Sequence, residues 1–72
     1  MMINRVYIQT TEPNESEYIP ILYFERYLIN KEGFIWDTKF KRYLKKHPRV
    51  DLIKNNGTIY SFNVSDLIER NF

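Results

Sequence analysis

The sequence predicts a small α+β domain, and three observations predict it. Two pairs of short, apolar-rich segments each flank a glycine-bearing turn, which reads as two antiparallel hairpins over about 27–37 and 50–63. After Asn63 the hydrophobic period lengthens to that of a helix, which predicts a closing helix over about 64–72. The chain has 72 residues and no cysteine, so it allows one domain around one core, held by packing rather than by disulfides or thiolate metal sites. Hydrophobic residues at 43% and aromatic residues at 17% are ample for such a core.

In residues 5–9, Val6 and Ile8 alternate with Tyr7 and Gln9, the period of a half-buried strand, here an N-terminal edge strand. The turn-rich stretch 10–17 follows, and the two together form an N-terminal strand and loop over 1–16. Pro20 forbids a helix through 18–23 and leaves that stretch extended. The first hairpin joins 27–30 to 34–37 through Lys31-Glu32-Gly33, with glycine where a left-handed residue is needed. The second joins 50–53 to 58–63 through Lys54-Asn55-Asn56-Gly57. In the closing helix Val64, Leu67, Ile68 and Phe72 share a face, Asn63 or Ser65 is the expected cap, and Asp66 lies in the first turn. Residues 38–47 fit two descriptions. Trp36, Phe40, Tyr43, Leu44 and His47 fall on one helical face before Pro48, and a strand through 42–45 competes with that amphipathic helix.

Composition removes several function classes. No apolar run approaches the roughly 20 residues of a membrane span, and residues 1–9 lack the pattern of a signal peptide, so a cytoplasmic protein without membrane partners is expected. The N-x-S/T triplets at Asn14, Asn56 and Asn63 then read as turn chemistry. His47, the single histidine, reads as a loop residue. Neither it nor Asp37, Asp51 and Asp66 make a recognisable metal constellation, and no cofactor is expected. The net charge of +2 conceals an asymmetry: −2 over residues 1–30, +5 over 31–54 and −1 over 55–72. Lys39, Lys41, Arg42, Lys45, Lys46 and Arg49 crowd into one short segment with no acidic residue among them, the footprint an anionic partner would use. The bland alternative is a solvated face.

The order of motifs adds a resemblance that spans 17–72. Glu17-Tyr18-Ile19-Pro20-Ile21 is followed by Phe24-Glu25 and then by Tyr27-Leu28-Ile29-Asn30-Lys31-Glu32-Gly33-Phe34-Ile35. Next come Lys41-Arg42-Tyr43-Leu44-Lys45, and last Val50, Leu52, Gly57, Phe62, Val64, Leu67, Ile68 and Phe72. In this order and spacing they resemble the fourth class of nuclease-associated modular domain, which precedes the HNH motif in many phage and intron homing endonucleases. The interval from Phe24 to Gly33 is one residue shorter than the pattern. The resemblance favours strand over helix at 42–45.

The departures matter more than the matches. Where the pattern has the histidine that opens the HNH motif and activates water, this chain has Ser65, which cannot accept a proton near neutral pH without a base beside it. The asparagine and second histidine that would follow, and the metal they serve, have no counterpart before Phe72. The resemblance therefore implies a scaffold without hydrolysis, and Ser65 reads as a helix cap rather than a nucleophile. Relatives carry basic phosphate contacts after the first hairpin's glycine and at the second hairpin's tip. Here Phe34 and Trp36 take the first set and Thr58, Ile59 and Tyr60 the second, implying a drier surface.

Two functional expectations follow, with a third behind them. The first is non-catalytic nucleic-acid binding through the six cations of 39–49, with Phe40 and Tyr43 available to stack on bases. The second is a phage-type module that grips a host protein in the host cytoplasm, to inhibit or redirect it, through Phe34, Trp36 and Tyr60. Against exposure of Phe34 and Trp36 stands their burial under the N-terminal strand, which the need of a short chain for large side chains inside favours. The third is a homo-oligomer built on the same aromatic face.

Overall fold

Turn chemistry divides the chain. A computed structural model describes residues 13, 14 and 16–72, so the strand expected over 5–9 lies outside the described residues. Strands β1 (Ile19–Ile21), β2 (Phe24–Ile29), β3 (Ile35–Asp37) and β4 (Arg42–Tyr43) form one antiparallel sheet in chain order. Strands β5 (Arg49–Ile53) and β6 (Ile59–Asn63) form a separate antiparallel pair, and helix α1 (Val64–Asn71) closes the α+β fold. No helix among the described residues is long and apolar enough to cross a membrane.

Both hairpins form about the expected turns, but they do not join into one sheet. Between β4 and β5 the chain passes through Pro48, which has no N–H to continue a ladder; its carbonyl instead accepts a hydrogen bond from the Val64 N–H at 2.8 Å. The two sheets meet through side chains: the Ile53 N–H donates to the Tyr27 hydroxyl at 3.2 Å, and the Phe24 ring stands edge-on to those of Tyr60 and Phe62. Strand β2 begins three residues earlier than the alternation suggests. The register shifts between Pro20 and Ile21, so that Ile21 pairs with Phe24 while Pro20 pairs with Leu28, and the irregularity hides the period of two.

Residues 38–47 are not a helix. Residues 38–41 turn, and Arg42 and Tyr43 pair with Asp37 and Trp36 as the sheet's edge strand. The Asp37 carboxylate decides this locally by accepting hydrogen bonds from the N–H groups of Lys39 (2.9 Å) and Phe40 (3.3 Å). Lys41 then adopts φ 54°, which no right-handed helix tolerates.

The core gathers Ile21, Phe24, Tyr27, Ile29, Ile35, Leu52 and Leu67, with Ile19, Leu44, Val50, Phe62, Val64 and Ile68 packed around it. Each buried aliphatic side chain here contributes about 1.5–3 kcal/mol. Asn63 occupies the N-cap position, as expected, but without a side-chain cap bond. Its Oδ1 instead accepts from the Arg49 guanidinium at 2.9 Å, and Ser65 is already inside the helix. At the other end Asn71 ties the helix down: its Nδ2 donates to the Leu67 carbonyl and its Oδ1 accepts from the Leu22 N–H in the β1/β2 turn.

The two glycines both have positive φ, but only one is crowded. At Gly33 (φ 90°) an added Cβ would stand 2.9 Å from Val64 Cγ1 of the helix, whereas at Gly57 (φ 89°) it would meet nothing within 4 Å. Gly33→Ala is therefore expected to combine backbone strain with overpacking and cost about 2–4 kcal/mol, and Gly57→Ala to cost about 1 kcal/mol. Urea midpoints of the two variants check this, and equal losses would show that the helix does not press on the first turn.

Candidate nucleic-acid interface

The basic segment runs from the β3/β4 turn through edge strand β4 and on to the start of the second sheet. Lys39, Lys41 and Arg42 belong to the β3/β4 turn and the start of β4; Lys45 and Lys46 lie just past β4, and Arg49 opens β5. All six side chains are exposed. Among the described residues the ion pair is that of Arg26 with Asp37, and none of the six belongs to it. Lysine-rich edges also guard sheets against pairing with other chains, which is the bland account of the same residues.

The β3/β4 turn is built rigidly. Asp37 is 3% exposed and accepts four hydrogen bonds: from Arg26 Nε at 3.0 Å, from its terminal nitrogen at 2.8 Å, and from the two turn N–H groups. Thr38 adds two bonds to the Arg26 carbonyl, from its N–H at 3.0 Å and from its hydroxyl at 2.7 Å. Burial pushes the Asp37 carboxyl up, but the Arg26 guanidinium and the turn N–H groups outweigh it and hold the group below the ordinary carboxylate range. The same pairing raises Arg26.

Phe40 stands out from this turn, 57% exposed, with the cationic groups of Arg26, Arg42 and Lys39 at 5.2, 5.5 and 5.6 Å from its ring centre. Phe34 is partly exposed and lies 4.3 Å from the Lys46 ammonium, beside a shallow apolar cleft formed with Tyr18, Tyr43 and Leu44. Tyr43 is half-buried between Trp36, at 4.8 Å between ring centres, and Tyr18, at 6.2 Å, so it packs rather than presents a free face.

Trp36 requires a correction. It is 4% exposed and forms the middle of the sheet between Leu28 and Tyr43, so it cannot anchor a partner. The core reading of this residue holds; the N-terminal strand expected to cover it lies outside the described residues. Phe34 does not share that burial.

Of a second cluster, sequence patterns marked Ile59 and Tyr60 but missed Leu22, Tyr23 and Lys54. The Lys54 ammonium sits 5.3, 5.6 and 5.8 Å from the ring centres of Phe24, Tyr60 and Tyr23. Tyr23 holds φ 70° in the β1/β2 turn, and Leu22, Tyr23, Ile59 and Tyr60 are exposed. Leu22 and Tyr23 lie more than 30 residues from Lys54, Ile59 and Tyr60, so no local pattern joined the two halves. Compared with known proteins, the chain matches no family model, no curated protein and no solved structure.

Proposed function

We propose that this domain is a non-catalytic nucleic-acid-binding module, a phage-type relative of the endonuclease-associated domains that has kept the scaffold without the water-activating histidine. The observation that supports it is the run of six exposed cations from the β3/β4 turn through edge strand β4 to the start of β5, free of carboxylate partners among the described residues. Phosphates spaced along a strand complement such a run, and the released counterions drive association. The reading has it work in the cytoplasm, the host's if phage-encoded.

Its test is binding measured at two salt concentrations. Raising salt from about 50 to 200 mM is expected to weaken a complex made through four to six phosphates by roughly 50-fold or more. Affinity for nucleic acid that does not fall with salt would remove the proposal.

A second reading has one observation behind it. Leu22, Tyr23, Ile59 and Tyr60 are large apolar side chains left exposed, and such residues suit a protein partner or a second copy of the chain. Salt-insensitive capture of one protein, or a solution mass that is a multiple of the monomer, would favour it.

A further inference from the structure

We infer that the β3/β4 turn is a stacking platform for an unpaired nucleobase, and that the partner is therefore single-stranded nucleic acid rather than intact duplex. The inference rests on the nucleic-acid reading and narrows it.

Three properties of the turn point to this ligand. Its tip offers a large planar apolar surface, the exposed ring of Phe40. Lys39, Arg42 and Arg26 hold their charged groups 5.6, 5.5 and 5.2 Å from that ring centre, while the turn's own carboxylate, Asp37, is buried and already matched by Arg26. The platform is also fixed in advance: four hydrogen bonds to Asp37 and two from Thr38 hold the backbone, so little conformational freedom remains to be lost on binding.

A planar apolar surface ringed by cations suits a ligand that is planar, apolar and flanked by anions. A nucleotide in an unpaired strand has that form, with a phosphate on either side of an accessible base face. An intact duplex presents its phosphates but keeps base faces stacked, and exposing one costs a few kcal/mol per step. An acidic peptide would satisfy the cations and leave the ring without a partner. Because every base has a π-face, the platform carries no sequence preference of its own.

The test uses the whole chain and labelled probes of about twelve nucleotides: oligo-dT, oligo-rU and a blunt duplex of equal length. Wild type is expected to prefer the single strands over the duplex. Phe40→Ala is expected to weaken single-strand binding roughly tenfold or more while changing duplex binding little. Phe40→Trp is expected to keep the affinity, and its added fluorescence should be quenched by the single strand, a signature that a purely structural role would not produce. The tighter of the two single strands assigns the sugar.

Equal binding of oligo-dT by wild type and Phe40→Ala would overturn the platform while leaving the basic edge as the binding surface. Failure of wild type to bind any of the three probes would overturn the platform and the nucleic-acid reading together, and leave a protein partner.

Discussion

Asp37→Ala is expected to destabilise the domain by about 3–5 kcal/mol, the range seen when one partner of a buried ion pair is removed. A domain of this size has roughly 4–11 kcal/mol in total, so the loss takes a large share of it. The side chain is fully committed: it accepts two bonds from Arg26 and two from the turn N–H groups, and its truncation leaves all four donors in a poorly solvated place. Urea unfolding followed by the single tryptophan, Trp36, reads the loss directly, because that residue is buried in β3 beside Asp37 in the chain. Arg26→Met in the same background should make the double variant less unstable than the sum of the two single changes, since it removes the orphaned cation and keeps an apolar stem against Tyr27 and Phe40. An Asp37→Ala variant within 1 kcal/mol of wild type would show that the pair does not hold the turn.

The same group sets an acid limit. Its carboxyl is held below the ordinary range in the folded protein and returns to about 3.9 when the chain unfolds. The unfolded state therefore binds the proton more readily. Asp37's contribution is complete above that unfolded value and is lost as pH falls through the lower, folded one. Asp37→Asn should flatten this part of the stability profile by lowering stability on the neutral side, where the carboxylate's contribution is complete.

What could be read in advance follows the locality of each signal. The two glycine turns and the helix are encoded within a few residues, and they appear where the turn chemistry of Gly33, Gly57 and Val64 onward places them. The stretch 38–47 misleads because Trp36, Phe40 and Tyr43 share a helical spacing by coincidence, while the deciding interaction is a side chain turned back on its own backbone. Asp at the head of a turn was visible as a residue type. Its guanidinium partner, eleven positions earlier, was not. Of the candidate binding residues, the cations were legible because charge runs are local. The aromatic set was not, because exposure depends on the sheet: Trp36 is covered while Phe40, four residues on, is free.

Neutralising Lys41, Arg42, Lys45 and Lys46 together to glutamine is expected to abolish retention on DNA while leaving the urea midpoint nearly unchanged. Folding should tolerate it because all four side chains are exposed and none supports the core, and surface changes of this kind stay within about 0.5 kcal/mol each. Binding should not. Each phosphate contact removed lowers the slope of log affinity against log salt by about 0.7 for a single strand or 0.9 for a duplex, so losing four flattens most of the dependence. The two cations that remain in the segment are poor substitutes, since Lys39 is isolated at the turn and Arg49 is engaged by Asn63. Changing the exposed Lys31 and Arg70 instead separates local footprint from overall charge. If that pair weakens binding as much as the four do, attraction belongs to the whole molecule; if the quadruple variant is retained as well as wild type at low salt, the basic edge is a solvated face and phosphates are not its partner.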